Sequence, residues 1–279
     1  MSSISVDGVR MNYHVTGDGP TLVAHPGGPG FDYAYLRSPE LEKRFTVVYP
    51  EPVGTGSSGR PAAYSLDTYV HCLAALIDHL GEPKVHLLGH SHGGFVAQRY
   101  ALDHPDRLAG LVLSHTSPVA GPDWWAAAMA ALNAYPDVYP EQPEAAGVPA
   151  AFQSALGAAG DEQVTALLRE ALPVYFADFW ARQTEFADFL ASVRIFAEPA
   201  TAPGAEPFDV RGRLGEITAP TVVIAGRRDF ICGPRWSVML RDGIPGARLT
   251  VLEHSGHFGH VEQPAQFTRA VTDVLLSQS

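Results

Sequence analysis

The sequence predicts an α/β fold in which a mostly parallel β-sheet is flanked by helices and carries an inserted helical cap. Short apolar runs alternate with helical patterns from Thr21 onward, which is typical of a parallel sheet covered on both faces. The alternation stops between Pro118 and about Val210, where Ala-rich and aromatic-rich segments are broken by prolines, and then resumes. We therefore expect a core formed by residues 1–118 and 211–279 and a helical cap formed by residues 119–210.

The composition is that of a globular protein with a large core. Of the 279 residues 46% are hydrophobic, and the net charge of −11 disfavours nucleic acid or an anionic membrane as a partner. Cys72 and Cys232 are far apart in sequence, so we expect reduced thiols in a cytoplasmic protein rather than a disulfide framework. The first twenty residues lack a basic leader and an apolar run, and the longest apolar stretch, Trp124 to Leu132, is too short to span a membrane. We expect no export signal and no anchor, and the sequence leaves the oligomeric state open.

The elements of the predicted core follow in order along the chain. The opening predicts a hairpin that turns at Asp7 and Gly8. The apolar runs that predict strands are Thr21 to Ala24, Phe45 to Tyr49, Lys84 to Leu88, Leu108 to Ser114, Thr221 to Ala225 and Arg248 to Leu252. The clearest helix begins after Ser65, a residue type that caps helices, and should end at Gly81. Further helices are predicted after Pro234 and from Pro264 to about Leu276.

A predicted strand runs directly into Gly89, His90, Ser91, His92 and Gly93, and a helical pattern follows at once. This Gly-x-Ser-x-Gly motif places a serine on a sharp turn between strand and helix, where the glycines leave room for the crowded backbone. A five-residue match alone also occurs by chance, but the strand before it and the helix after it favour the functional interpretation. Ser91 is therefore the predicted nucleophile.

A serine hydroxyl needs a base to take its proton, and on this scaffold the order along the chain is serine, acid, histidine. The last predicted strand is followed by a loop with three histidines, His254, His257 and His260. We choose His257 as the base because Gly256 before it, and the Glu and Pro that open the last helix, match the usual catalytic-histidine loop. His254 is the second choice.

The acid should lie at another strand end, where it can hold the imidazole in one tautomer. Asp229 lies four residues beyond the predicted strand Thr221 to Ala225 and is our choice. A lone aspartate there would usually be a surface turn. Asp242 and Glu253 are weaker candidates.

Acyl transfer also requires N–H donors aimed at the developing oxyanion. The backbone N–H of His92 is one predicted donor. The second should come from the loop His25 to Gly30, whose glycines let the backbone approach a substrate, and we choose Gly28. Read alone, this loop would be an ordinary Gly- and Pro-rich turn.

Two other patterns do not predict a site. Gly54 to Gly59 fits Gly-x-Gly-x-x-Gly, but four residues separate it from its strand and Pro61 follows, so a dinucleotide site is not expected. The three histidines after the last strand are spaced by three, but intervening glycines and the absence of a carboxylate or cysteine pattern disfavour a metal site. We predict no metal and no cofactor.

These residues resemble the α/β-hydrolase superfamily over essentially the whole chain, and within it the proline iminopeptidase-like group. The resemblance rests on Pro26 to Gly30, Val47 to Ser58, Gly89 to Gly94, Asp229 and Gly256-His257. It implies the α/β-hydrolase fold, the three triad roles and a cis peptide before Pro29. It also implies that carboxylates in the cap hold a substrate ammonium group, for which Glu185, Asp188 and Glu198 are candidates. The chain has Pro26 where the group usually has His, and His92 where it has Trp.

The prediction that follows is a serine hydrolase that cleaves an ester, lactone or amide bond of a small, largely apolar substrate. Aromatic residues of the predicted cap, among them Trp124, Trp125, Phe179 and Trp180, are the candidates for substrate contacts, although most cap aromatics can equally be core. Three alternatives remain open: a proline-releasing exopeptidase, a non-hydrolytic enzyme such as a cyclase or perhydrolase, and a small-molecule receptor.

Overall fold

Ten strands and twelve α-helices form in residues 1–197 and 207–277, the part of the chain that this computed structural model describes. The strands are β1 (Ser2–Val6), β2 (Val9–Thr16), β3 (Thr21–His25), β4 (Thr46–Pro50), β5 (Val85–His90), β6 (Leu108–Ser114), β7 (Val119–Ala120), β8 (Phe208–Asp209), β9 (Thr221–Gly226) and β10 (Arg248–Leu252). The helices are α1 (Pro39–Glu42), α2 (Leu66–Leu80), α3 (His92–Asp103), α4 (Pro122–Asn133), α5 (Tyr135–Val138), α6 (Val148–Leu156), α7 (Asp161–Ala171), α8 (Phe179–Arg182), α9 (Ala187–Ser192), α10 (Pro234–Gly243), α11 (Gly259–Glu262) and α12 (Pro264–Leu275).

Eight of the strands form one sheet in the order β1-β2-β4-β3-β5-β6-β9-β10. Every neighbouring pair from β4 to β10 is parallel, and the hairpin β1–β2 pairs antiparallel at one edge. The direction in which strands are added reverses between β3 and β5, and such a reversal leaves a crevice at the carboxyl ends of the two strands. The predicted oxyanion loop follows β3 and the predicted nucleophile follows β5, so the topology brings both to this crevice.

Both faces of the sheet are buried, as the continuous apolar runs predict. On β3, Leu22 packs into a cluster with Phe267 and Val271 of α12, whereas its neighbour Val23 packs into a second cluster on the opposite face. That second cluster contains residues of α2, α3 and α10. The sheet therefore forms the middle layer and holds the strand ends in fixed positions.

The turn and helix-cap residues predicted for the core are found at the expected positions. Asp7 and Gly8 both have positive φ, 50° and 82°, as a tight hairpin turn requires. The Ser65 side chain accepts a hydrogen bond from the Thr68 N–H at the start of α2, and Gly81 ends that helix in the left-handed conformation. The bounds of β6 and β10 are as predicted, and those of the other predicted strands differ by at most two residues, because periodicity locates an element better than it locates its ends.

Residues 122–192, which we call the helical insertion, contain six α-helices, α4 to α9, and two short 3-10 helices. Two short strands, β7 and β8, pair antiparallel at its base. The sequence did not predict this pairing, because two residues are too few to show an alternating pattern. Among the residues described, no helix is long and apolar enough to cross a membrane.

Candidate active site

Ser91 lies on the sharp turn between β5 and α3 with φ 55° and ψ −120°, a backbone conformation that is strained for a residue with a side chain. Hydrogen bonds hold the turn: the Ser91 N–H donates to the Ser114 carbonyl at 3.0 Å, and the Ser91 carbonyl accepts from Gly94 N–H and from Thr116 Oγ1, each at 2.8 Å. An added Cβ at Gly93 would collide with the carbonyl oxygens of the loop after β3. Gly93 is therefore needed because two loops approach each other here, whereas a Cβ at Gly89 would collide with the carbonyl of Gly93 within the turn itself.

His257 and Asp229 meet in the buried interior, at the ends of β10 and β9. Asp229 Oδ2 lies 2.8 Å from His257 Nδ1, and their side chains are 0% and 4% exposed. An ionised carboxylate only accepts hydrogen bonds, so Nδ1 carries the proton and Nε2 is left to act as a base. This is the tautomer that a serine nucleophile requires.

The second oxygen of Asp229 is also fixed. Oδ1 accepts the backbone N–H groups of Ile231 at 3.0 Å and Cys232 at 2.9 Å. Burial opposes ionisation of this carboxyl, but the neighbouring imidazole of His257, its hydrogen bond and the N–H of Cys232 hold the pKa of Asp229 below its usual value. The carboxylate is therefore both ionised and oriented.

The weaker candidates for acid and base lie elsewhere. His254 is exposed, Glu253 is an exposed partner of Arg227, and Asp242 lies on α10 beside its own neighbour Arg241. His260, the third histidine of the loop, is buried, and its Nε2 donates to the Tyr35 carbonyl at 2.8 Å. This hydrogen bond connects the loop to the segment that contains Tyr35. Of the three histidines, His257 is the one that reaches a carboxylate.

The loop after β3 lies beside the serine. Its peptide Gly28–Pro29 is cis, and Gly28 has φ 118°, which favours glycine. The N–H of Gly27 donates to the Tyr35 hydroxyl at 2.7 Å and is therefore not aimed at a substrate, and the N–H of the next residue, Gly28, stays the predicted donor of this loop. His92 is the first residue of α3, where helix N–H groups have no partner within the helix. Burial lowers the pKa of its side chain to about 3, so the imidazole beside this N–H is neutral.

Ser91 and His257 open into one cavity of about 50 Å³, several times the space that one water molecule needs. Besides these two residues its walls are Gly27, Gly28, Phe31, Tyr35, His90, Tyr175, Ile231 and Phe258. None of these described wall residues is Lys, Arg, Asp or Glu. The helical insertion contributes Tyr175, and the other apolar walls come from the loops that follow strands.

The four aromatic residues predicted to contact substrate are not among the walls of this cavity. Trp124 packs with Phe95 and Trp236 in a separate apolar cluster, and Trp125 is 40% exposed. Phe179 is buried in the interior of the insertion beside Trp180. A helical aromatic pattern shows that one face of a helix is buried but not which partner buries it, and this is why the prediction chose other residues.

Glu262 is a functional candidate that the sequence analysis used only as part of a motif. Its Oε1 accepts the N–H of Ala177 in the insertion, and its Oε2 accepts the N–H of Gly256 in the loop after β10, each at 2.7 Å. The Tyr175 carbonyl in turn accepts the N–H of His257 at 2.6 Å. One buried carboxylate thus ties the insertion to the loop that carries His257. Its contact with the insertion is long-range, so no local sequence signal could reveal it.

Two of the three candidate ammonium-binding carboxylates, Glu185 and Asp188, do not line the cavity. Glu185 is exposed and pairs with Arg182 at 2.9 Å, and Asp188 is exposed on α9. Glu198 lies outside the described residues. Within residues 1–197 and 207–277 no group of three or more His, Cys, Asp or Glu is arranged to hold a metal ion.

A larger, open groove of about 420 Å³ lies at the opposite end of the sheet, where β5 and β6 begin. Lys84, His86 and Asp106 are among its walls. It contains none of the predicted catalytic residues and faces the amino ends of the strands, away from the crevice at the switch in strand order.

Comparisons with known proteins agree with this fold. A family model described as the alpha/beta hydrolase fold matches residues 20–264. The chain is 31% identical over 279 residues to the 2-hydroxymuconate semialdehyde hydrolase of Pseudomonas sp. (strain CF600), with 96% of this chain and 91% of that protein covered. It is 29% identical over 270 residues to the RutD protein of Pseudomonas savastanoi pv. phaseolicola (strain 1448A / Race 6), named for carbamate hydrolysis, with 94% and 96% covered. The crystal structure of a hydrolase from Pseudomonas aeruginosa PA01 matches with a TM-score of 0.69 at 28% identity, covering 99% of this chain and 98% of that chain.

Proposed function

The chain belongs to the alpha/beta hydrolase family, a family of hydrolases, and from this membership we propose that it is a serine hydrolase acting through an acyl-enzyme. The proposed substrate is a small, largely apolar ester, lactone or amide. One observation carries the proposal: Ser91, on its strained turn, and His257, oriented by a buried Asp229, open into the same uncharged cavity.

In the first proposed step Ser91 Oγ attacks the substrate carbonyl while His257 Nε2 takes the hydroxyl proton. The carbonyl π electrons move to the oxygen, where the N–H groups of Gly28 and His92 stabilise the negative charge. The tetrahedral intermediate then collapses and the leaving group departs with the proton from His257. Asp229 remains ionised and stabilises the imidazolium.

In the second proposed step a water molecule replaces the leaving group. His257 takes a proton from the water, the resulting hydroxide attacks the acyl carbonyl, and the Ser91 oxygen leaves with that proton. The products are a carboxylic acid and the free serine.

We propose that the helical insertion acts as the cap over this site. Support comes from Tyr175, whose ring forms a cavity wall and whose carbonyl bonds the backbone of His257. Ring centroids of Tyr175 and Phe258 are 5.6 Å apart with their planes at 25°, so the insertion and the catalytic loop share one apolar wall.

The uncharged walls also bear on the choice of substrate. A muconate semialdehyde, for which one relative is named, carries a carboxylate, and a peptide amino terminus carries an ammonium group. Burying either group without a partner of opposite charge costs several kcal/mol. The walls offer no Lys or Arg to the first group and no Asp or Glu to the second. None of the three relatives described above is named as a proline iminopeptidase, so the narrower resemblance to that group lacks support from them.

The first test combines active-site labelling with turnover. Wild-type protein and Ser91→Ala are treated with a fluorophosphonate probe, and the labelled peptide is identified by mass spectrometry. We expect labelling of the wild type at Ser91 and none at that position in the variant. Both proteins are then assayed on p-nitrophenyl esters, lactones and prolyl amides, where we expect turnover of neutral esters or lactones by the wild type alone. Folded wild-type protein that does not label would contradict the proposal and would favour a receptor or a non-hydrolytic enzyme.

A further inference from the structure

A chain of hydrogen bonds runs behind the cavity and joins the three loops that carry the proposed chemistry. The Gly27 N–H lies 2.7 Å from the Tyr35 hydroxyl, the hydroxyl lies 2.7 Å from His90 Nδ1, and His90 Nε2 lies 2.8 Å from the His257 carbonyl oxygen. Gly27 precedes the proposed oxyanion donor Gly28, and His90 precedes Ser91. The third contact is made by the backbone of the proposed base itself.

The direction of each bond follows from the chemistry of its ends. A carbonyl oxygen only accepts, so His90 Nε2 must carry a proton and donate to His257. In a neutral imidazole Nδ1 is then the acceptor, and the Tyr35 hydroxyl must donate to it. The hydroxyl oxygen is left to accept the N–H of Gly27. For a neutral His90 the chain therefore has a single arrangement of protons.

Burial keeps the two side chains in these states. Tyr35 and His90 are 3% and 1% exposed. Burial, together with the neighbouring imidazoles of His257, His115 and His260, lowers the pKa of His90 well below its usual value, and burial raises the pKa of Tyr35. Phe258 lies against the His90 ring with the planes at 19° and the centroids 5.9 Å apart. Neither side chain can move without leaving polar groups unpaired in the interior.

We infer that Tyr35 and His90 are positioning residues that fix the oxyanion loop, the nucleophile turn and the base loop at one mutual spacing. The inference rests on the proposed function, because it assigns the spacing to Gly28, Ser91 and His257 acting together. Displacements of about 1 Å between reacting groups can cost about 100-fold in rate. A hydrogen-bonded connection that sets this distance is therefore a requirement for turnover and not only for stability.

The kinetic test uses Tyr35→Phe, which removes one oxygen and keeps the ring. We expect kcat on a neutral p-nitrophenyl ester to fall roughly 10- to 100-fold while KM changes by less than about twofold. Rates are expressed per active site titrated with the fluorophosphonate probe, so that a loss of folded protein does not count as a loss of rate. Tyr33→Phe is the matched control, since Tyr33 lies in the same turn, stacks on His14 and is not a wall of the cavity. The control should retain wild-type kcat.

A second pair of variants tests whether the two residues act as one unit. His90→Gln keeps a donor for the His257 carbonyl, whereas His90→Leu keeps no polar atom, so we expect Gln to retain more activity than Leu. In Tyr35→Phe/His90→Gln the losses in kcat/KM should be clearly less than multiplicative, because the first change already breaks the chain. Fully multiplicative losses, or an unchanged kcat per titrated site in Tyr35→Phe, would overturn the inference.

A third measurement does not depend on turnover. In ¹H–¹⁵N spectra of the wild type, His90 should be the neutral Nε2–H tautomer, and Tyr35→Phe should shift the amide of Gly27 and the imidazole resonances of His257. An Nδ1–H tautomer at His90 would overturn the inference, and so would His257 imidazole resonances that are unchanged in Tyr35→Phe. If the wild type did not label at Ser91 while these spectra were as expected, the proposed function would be wrong. The chain of hydrogen bonds through Tyr35 and His90 would still be supported.

Discussion

The two carboxylate oxygens of Asp229 have different partners. A single substitution can therefore test whether this residue orients His257. Oδ2 meets the imidazole of His257, while Oδ1 is held by two backbone N–H groups. The backbone N–H groups would still hold one oxygen of an asparagine at this position. Its amide nitrogen, however, would face His257 Nδ1 as a donor and would favour the wrong tautomer of the imidazole.

We predict that Asp229→Asn lowers kcat by roughly three to four orders of magnitude and leaves KM nearly unchanged. The cause is the loss of a base at Nε2 while the cavity keeps its shape. Steady-state kinetics on a p-nitrophenyl ester measures both constants. Asp242→Asn, at an exposed aspartate of α10, is the control and should behave as wild type. A loss of less than tenfold would show that Asp229 does not orient the base.

At the scale of elements, the site depends on how closely the loops at the ends of β3, β5 and β10 approach each other. Gly93 at the start of α3 lies against the backbone of the loop after β3. A Cβ added to Gly226, at the end of β9, would approach the backbone of Gly256 in the loop after β10 even more closely. Backbone atoms cannot move aside as side chains can, so these approaches fix which positions must be glycine.

We predict that Gly93→Ala destabilises the protein by roughly 1–3 kcal/mol, because the added methyl group would push the loop after β3 away from the turn at Ser91. Chemical denaturation monitored by circular dichroism measures the change. Gly147→Ala is the matched control, because an added Cβ there meets nothing within 4 Å, and it should change stability by less than about 0.5 kcal/mol. Equal stability of the two variants would contradict this account of the turn.

A second prediction at this scale concerns Glu262, whose carboxylate ties the insertion to the loop after β10. Burial raises the pKa of Glu262 from 4.5 to about 7, against the opposing effect of its two N–H donors. The native protein then holds this proton more tightly than the unfolded chain. The resulting contribution to the free energy of unfolding is fully present below about pH 4.5 and is lost as the pH rises to about 7.

Glu262→Gln removes this titration. We predict that the stability of the wild type relative to Glu262→Gln falls between pH 5 and pH 7.5, measured by urea denaturation at both values. Glu144→Gln, at an exposed glutamate, should show a difference from wild type that does not vary with pH. A wild-type advantage that grows with pH would mean that the carboxylate is stabilised as the anion.

At the scale of the whole molecule, the protein is strongly acidic but the walls of its cavity are uncharged. The chain carries a net charge of −11, yet the described walls of the cavity hold no charged carboxylate or cation. An anionic substrate is therefore repelled at a distance and finds no partner on arrival, whereas a neutral substrate meets neither penalty.

We predict that p-nitrophenyl butyrate has a kcat/KM at least about tenfold higher than its anionic analogue p-nitrophenyl hydrogen succinate. The gap should narrow but persist between 20 mM and 500 mM salt, because salt screens the long-range repulsion and not the desolvation of the carboxylate. Initial rates with both esters at the two salt concentrations test this. A higher kcat/KM for the anionic ester would contradict the prediction and would indicate that a cationic group outside the described cavity walls contacts the substrate.

The sequence by itself determined the fold class, because apolar runs that alternate with helical patterns can be buried in one way, as a parallel sheet between helices. It also singled out Ser91, since the glycines around it serve a local backbone geometry, and local geometry is encoded in neighbouring residues. Asp229 and His257 were predictable as residues that follow strands, whose carboxyl ends meet at one edge of the sheet.

Only the tertiary structure decided which surfaces meet at that edge. It brought His257, and not the exposed His254, to a buried carboxylate, and it buried Trp124 and Phe179 away from the cavity. The walls come from Tyr35, Tyr175 and other residues that line one cavity with Ser91 and His257 although they lie in distant parts of the chain. The physical reason is that burial of an apolar side chain is non-directional: the sequence shows that the side chain leaves water, and packing alone settles what it then touches.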